Sequence, residues 1–238
     1  MDIAYSKTYA EVYRKHWWWR AREEVVIETL RRHRPVESHE TILDVGCGDG
    51  LFFDRLSEFG RVEGVEPEAA VLSERFRSQI HAVPFDDQFR PGRQYSLILM
   101  LDVLEHIPDP GAALRHAVHL LMPGGMLLVT LPAFQVLWTK HDEINHHVRR
   151  YTRRSFRALA AGLGLELLEE RYLFQALFPA KLAIRAVEVI LNLGPRVPSV
   201  PPAWLNHAMR GYLLVEERVF RALPVSFGTS LLVVARKQ

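Results

Sequence analysis

Apolar positions along this chain recur with two different periods, and the change of period marks out its architecture. Over residues 8–34, Tyr9, Val12, Tyr13, His16, Trp17 and Arg20 follow one another at three- and four-residue spacing, and Ala21, Val25, Ile27 and Leu30 continue the stripe. That spacing predicts a helix, closed by the basic run Arg31-Arg32-His33-Arg34 ahead of Pro35. Consecutive helical residues splay by about 100°, so Trp17, Trp18 and Trp19 cannot all point inward. One reading of the triplet is core packing plus a contact with a loop or subunit; the other is an aromatic lid over an apolar ligand.

Beyond residue 40 the pattern becomes one of short apolar runs. Strands are predicted over 41–45, 61–65, 80–83, 95–101, 126–131, 165–173 and 230–236, with helices over 68–78, 109–121 and 153–163. Strands alternating with helices point to an α/β fold with a mainly parallel sheet. The run 95–101 is apolar at nearly every position, as suits a strand buried on both faces. Asp109-Pro110 opens one helix with proline at the first helical position, Thr152 is placed to cap another, and Met122-Pro123-Gly124-Gly125 reads as a sharp turn.

Between 175 and 224 lies an insertion that the alternating pattern does not require. Helices are predicted over 176–193 and 203–222, separated by a proline-rich linker at 195–202. In the first of these, Lys181, Arg185, Glu188 and Asn192 form one thin polar stripe and the rest is apolar, so the helix needs cover almost all round. A lid of the protein's own, a homodimer partner or a peripheral membrane contact through 176–222 would each supply it. Flanking arginines suit an anionic bilayer, whereas a lid over an apolar acceptor needs no extra assumption.

Composition narrows the class. The chain has 238 residues, 48% apolar and 24% charged, with a net charge of +2. So small an excess gives no phosphate-tracking surface, and no nucleic-acid partner is expected. A lone cysteine, Cys47, excludes an intrachain disulfide and reads as a small buried filler. The N-terminus has no basic stretch leading into an apolar core, and no uncharged apolar run reaches the ~18 residues of a membrane span, so a cytoplasmic location is expected.

The chemistry gathers around Ile42-Leu43-Asp44-Val45-Gly46-Cys47-Gly48-Asp49-Gly50, where a strand runs into a glycine turn and then into Leu51-Phe52-Phe53-Asp54-Arg55-Leu56, the start of a helix. Glycine lets main chain approach a ligand closely, and a helix start presents unpaired N–H groups. A dinucleotide fingerprint would place its third glycine where Leu51 stands, which argues against a nicotinamide-dependent dehydrogenase. Glu66 ends the second strand 20 residues after Gly46, where a nucleotide-binding α/β unit sets an acidic residue to accept from both ribose hydroxyls.

Asp44-x-Gly46-x-Gly48-x-Gly50, Glu66, the Leu101-Asp102-Val103-Leu104-Glu105-His106 block and the Pro123-Gly124-Gly125 turn occur in order, and together they resemble the class I S-adenosylmethionine-dependent methyltransferases over roughly residues 40–175. The resemblance implies one methyltransferase domain with a core over 40–174 and 229–237. Its fold would be a Rossmann-like three-layer α/β sandwich whose seven-stranded sheet has the order 3-2-1-4-5-7-6, with the last strand antiparallel and a helical insertion. It also implies S-adenosyl-L-methionine as cofactor. Gly46 and Gly48 would hold its methionine part, Glu66 the ribose hydroxyls, Asp86 (or Asp87) the adenine, and Leu101 the amino-acid end, with Asp44 in support.

Methyl transfer needs a general base only for an acceptor that arrives protonated. His106 is one candidate, since imidazole titrates near neutrality, and His146 is another, from a set that includes His141 and His147. His141, His146 and His147 lie in a dense block after the fifth strand that resembles the family's substrate-side loop, in which Arg149, Arg150 and Tyr151 precede a helix. The arginines there call for an anion, either a surface carboxylate such as Asp142 or Glu143 or a carboxylate or phosphate on the substrate. No metal framework such as C-x-x-C or H-E-x-x-H is present, and no metal is expected. The reading is methyl transfer to a small-molecule acceptor; the alternative is a cofactor-binding but non-catalytic, or membrane-associated, partner protein.

Overall fold

The computed structural model describes residues 12–33, 40–68, 74–194 and 199–238. Its core is a seven-stranded sheet of order β3-β2-β1-β4-β5-β7-β6, the order expected. The strands are β1 (Glu40–Val45), β2 (Gly60–Val65), β3 (Ile80–His81), β4 (Tyr95–Leu101), β5 (Leu121–Pro132), β6 (Leu165–Leu173) and β7 (Ser230–Lys237). Pairs from β3 through to β5 run parallel, and β7 returns antiparallel to β5. β1 and β4 lie at the centre, and Ile42, Leu43, Val45 and residues 97–100 are buried to within 1%. Their unbroken apolar runs are what a strand covered on both faces requires.

Two compact units divide the chain. The sheet unit comprises His39–Gln135, His147–Arg171 and Ser230–Gln238; the helical unit comprises Met1–Ser38, Val136–His146 and Tyr172–Thr229.

In the sheet unit, Pro123-Gly124-Gly125 turns within β5 rather than ahead of it. Tyr95 pairs with Leu121 and Leu97 with Met126, so four residues bulge out where one would keep register. Helix α2 (Phe53–Leu56) is a single turn after the glycine loop. Helix α3 (Pro110–Leu120) begins as predicted, with Asp109 Oδ1 accepting from the Ala112 N–H at 2.9 Å. Residues 69–73 of the helix predicted over 68–78 lie outside the described residues, and Arg77–Gln79 form a 3-10 turn leading into β3. Glu63 on β2 is a buried carboxylate that accepts from the Tyr95 hydroxyl at 3.0 Å and from Arg93 at 2.8 Å, tying β2 to the start of β4.

In the sequence between the units' segments come α4 (Lys140–Ile144), of the helical unit, and α5 (Arg153–Ala160), of the sheet unit. Thr152 caps α5 in a reciprocal box with Ser155. The helix stops short of the predicted residue 163 because Gly162 takes a left-handed turn at φ +76°.

The helical unit is built on α1 (Trp17–His33), α6 (Leu177–Ile190) and α7 (Ala203–Phe220). The helix predicted over 8–34 is interrupted at His16, after a helical turn over 12–15. Two side chains satisfy the break. His16 Nδ1 accepts from the Trp18 N–H at 3.2 Å, and Asn206 of α7 accepts from the Trp17 N–H at 2.7 Å while donating to the Lys15 carbonyl. Trp19 is buried, and Trp18 packs edge-on against it at 5.2 Å and against Phe174 at 6.1 Å. Arg210 and Arg218 of α7 pair with Glu24 and Glu28 of α1, each at 3.7 Å.

Burial lowers the His16 pKa, which suits a neutral ring accepting from Trp18. A depressed histidine contributes stability above its unfolded value of 6.5, and that stability is lost as pH falls below it. The unfolding free energy should therefore decrease on acidification below about 6.5. His16→Asn, which keeps an acceptor for the Trp18 N–H, should reduce that slope in urea titrations followed by tryptophan fluorescence.

Candidate active site

The glycine loop sits at the carboxyl ends of β1 and β2, on the sheet edge where open α/β sheets bind ligands. Gly46 and Cys47 both turn their N–H groups to the Val65 carbonyl, at 2.8 and 3.3 Å, which pins the loop to the end of β2. Glu66, the next residue, reaches back across. Its Oε2 accepts from the Gly48 N–H at 3.0 Å and its Oε1 from the Glu68 N–H at 3.0 Å. Each carboxylate oxygen can accept twice, so both still have capacity for a ligand hydroxyl.

Two glycines in this loop have separate reasons to be glycine. At Gly46 (φ +71°) a Cβ would come within 2.8 Å of the Val103 side chain beyond β4. At Gly48 (φ +57°) no atom lies within 4 Å of a built Cβ, so the main chain there faces open space. Cys47 fills the gap over Gly64 of β2, where a Cβ would meet its Sγ at 2.4 Å. Burial, with Asp44 and Glu66 close by, drives its thiol pKa far up, so it remains a neutral filler. Asp44 is itself buried at the end of β1.

Leu101 ends β4 opposite Thr130 of β5. Asp102 then takes a left-handed conformation at φ +56°, held by its N–H to the Thr130 carbonyl at 2.9 Å and by the Thr130 hydroxyl donating to Oδ1 at 3.2 Å. A non-glycine residue there carries strain of order 1 kcal/mol, which the bonds to Thr130 hold in place. This kink turns the chain so that Val103 meets the glycine loop, with Glu105 and His106 just beyond it.

Glu105 is fully buried, at 0% exposure. One potential ligand atom from each of Glu105, His106 and His147 lies within 4.8 Å of the others, and the two imidazole rings meet edge to face with centroids 4.7 Å apart. The segment carrying His147 is stapled to the end of β4 along its length. Val148 N–H donates to the Glu105 carbonyl at 2.9 Å, Arg149 to the Pro108 carbonyl at 2.9 Å, and the Tyr151 hydroxyl to the Leu104 carbonyl at 3.0 Å. Arg150 is buried and donates to the Ala133 carbonyl at 3.1 Å. Arg150 and Tyr151, expected on the substrate side, are thus engaged with main-chain carbonyls. Burial pushes the Tyr151 pKa up to about 12.

The remaining sequence candidates have partners of their own. Asp86 is exposed and caps a turn through the Gln88 N–H at 2.9 Å, beside an open depression lined by His81, Val83 and Phe89. His141 and His146 belong to the helical unit. His141 bonds with the Asn145 side chain at 3.1 Å, and His146 has φ +56° with its N–H on the Glu143 carbonyl. Glu105 and the strained Asp102 had no signal in the sequence beyond their places in the motif after β4.

A family model described as "Methyltransferase domain" matches residues 18–170, well over half the chain. A ubiquinone biosynthesis O-methyltransferase of Paramagnetospirillum magneticum is 35% identical over 103 residues, covering 40% of this chain and 41% of that protein. One of Hydrogenovibrio crunogenus is 27% identical over 142 residues, 56% of this chain and 54% of that protein. The chain thus spans about half or less of these relatives' lengths. A crystal structure of an S-adenosylmethionine-dependent methyltransferase from Clostridium acetobutylicum superposes with a TM-score of 0.61 at 13% identity, over 97% of this chain and 98% of that one, which is a likeness of fold. With the sheet order, the glycine loop clamped to β2 and the match over 18–170 in hand, the chain belongs to the methyltransferase-domain family and carries the class I S-adenosylmethionine-dependent methyltransferase fold.

Proposed function

We propose that this chain transfers a methyl group from S-adenosylmethionine to a hydroxyl oxygen of a small-molecule acceptor, such as a phenol. The observation that carries the reading is the His106–His147 pair on the buried Glu105, two residues beyond the Val103 that touches the glycine loop. An imidazole pair beside a carboxylate suits the removal of a proton from a phenol as its oxygen becomes a nucleophile. The matched relatives in Paramagnetospirillum and Hydrogenovibrio bear the name of O-methyltransferases, which supports oxygen as the target.

The residues present fit the cofactor. Main chain at Gly48 is open for close approach, and the Glu66 carboxylate is already oriented by two N–H groups with lone pairs to spare. Gly46 and Gly48 would hold the methionine portion, Glu66 the ribose hydroxyls, Leu101 the amino-acid end and Asp86 the adenine, with Asp44 in support. When bound, S-adenosylmethionine supplies an electrophilic methyl group on a sulfonium. The protein's own tasks are to align the acceptor oxygen, exclude water and accept the proton at an imidazole nitrogen of His106 or His147. Glu105 would stabilise the imidazolium formed.

A second reading of the same cluster has Glu105, His106 and His147 as three ligands of a divalent cation, since their donor set and 4.8 Å span need only a small contraction. Loss of activity with a chelator, restored by added divalent metal, would select it over the general-base reading.

Calorimetric titration with S-adenosylhomocysteine tests the cofactor half. The wild-type chain should bind, and Glu66→Ala should weaken binding about 10- to 100-fold, the worth of hydrogen bonds to a charged group. Binding of NAD in place of S-adenosylhomocysteine would overturn it. For the chemistry, His106→Ala or His147→Ala should lower kcat about 10²-fold or more on a catechol-type acceptor. The loss should be much smaller for acceptors bearing electron-withdrawing groups that are ionised at the assay pH. Equal losses on both kinds of acceptor would remove the general-base role.

A further inference from the structure

The insertion helix α6 is inside out. Two residues of its polar stripe, the side a surface helix ordinarily turns to water, are bonded to protein. Arg185 donates to the Val136 carbonyl at 2.6 Å, and Glu188 accepts from the Lys140 N–H at 3.0 Å. The opposite stripe, Ala180, Ala183, Ile184, Val187, Ile190 and Leu191, is exposed, with Ile190 at 77%, and no residue of the helix is buried.

Helix α7 repeats the inversion. Its carboxylates Glu216 and Glu217 are buried, Glu216 accepting from the Ala176 N–H, while Trp204 (73% exposed), Tyr212, Val215 and Val219 face out along one stripe. Exposed apolar stripes of this kind mark docking surfaces.

The charge balance of the unit chooses the occupant. Among the described residues of the helical unit, Arg14, Lys15, Arg31, Arg32, Arg218 and Arg221 are exposed, against one exposed carboxylate, Glu143. That carboxylate is held by Lys140 at 3.0 Å. A second copy docked through the same face would bring two units with this positive excess together. An anionic bilayer surface satisfies both features: it takes up the apolar stripes and attracts the unit's basic excess, and tryptophan and tyrosine are side chains that favour its interface. No helix among the described residues is long and apolar enough to cross a membrane, so the contact would be interfacial.

We propose that the helical unit docks on an anionic lipid surface through the outward faces of α6 and α7. Flotation of the full chain with phosphatidylcholine vesicles, with and without phosphatidylglycerol, tests this. The protein should float with the anionic vesicles and poorly with the neutral ones, and salt should weaken the association. Val187→Asp with Ile190→Asp should abolish recovery; both positions are exposed, so the far-ultraviolet circular dichroism should not change. Arg218→Gln with Arg221→Gln should weaken binding about 25-fold, at about fivefold for each charge. Wild-type tryptophan emission should shift to the blue on adding anionic vesicles, and Trp204→Phe should lose most of the shift. Three results would overturn the proposal: no flotation with either vesicle, undiminished flotation of the α6 double variant, or a concentration-dependent dimer that the double variant dissolves, which would make a second copy the occupant.

Discussion

The hydrogen bond from the Gly48 N–H to the Glu66 carboxylate, 3.0 Å long, is the constraint on which the candidate site depends. It closes a loop that the parallel register of β1 and β2 has already brought together, with Val45 beside Val65 and the Val65 carbonyl receiving both Gly46 and Cys47. A glycine turn left in water would sample many conformations, because glycine loses more freedom on ordering than other residues. Here three main-chain donors are fixed from the β2 side. The turn is then shaped before any ligand arrives, and Gly46 lies close enough to Val103 that no side chain would fit between them.

That close approach links the loop to the far side of the site. Val103 can reach Gly46 only because Asp102 leaves β4 in a left-handed conformation, and two bonds to Thr130 of β5 keep it there. The same kink delivers Glu105 and His106 one turn later. Burying a carboxylate costs several kcal/mol unless cations and donors surround it, and the segment carrying His147 is bonded to residues 104–108 at three points. Arg150 and Tyr151, which look like substrate ligands in sequence, are part of that anchorage. Their bonds to the Ala133 and Leu104 carbonyls hold the segment at the correct height for His147 to meet His106.

What was legible in the sequence was whatever depends on local pattern. The runs over 95–101 and 165–173 match β4 and β6 end to end, and the caps at Asp109 and Thr152 fall where their residue types place them. Sheet order came from the family resemblance, since periodicity does not say which strands are neighbours. The features that escaped depend on partners far along the chain. The interruption at His16 needs Asn206, 189 residues away, to receive the Trp17 N–H. Glu105 and His147 stand 42 positions apart, so nothing in either neighbourhood announces the cluster. The bulge in β5 is a matter of register with β4, which residue types alone do not encode.

Helix α6 shows the limit most plainly. Its period was readable, and with it the existence of a polar stripe and an apolar one, but a period does not say which stripe faces in. The orientation adopted reflects hydrogen-bonding need. The segment Val136–Lys140 leads into α4 with a carbonyl and an N–H that no regular structure satisfies, and Arg185 and Glu188 supply the partners. Turning the polar stripe inward meets that need and leaves the apolar stripe outside, where each methylene loses about 0.8 kcal/mol relative to burial until something covers it. The stripe that faces out is therefore the counterpart of the stripe that holds residues 136–140, and that held segment continues directly into His141 and His146. A surface that orders α6 from outside would, by the same bonds, order the start of the histidine-bearing segment of its own unit.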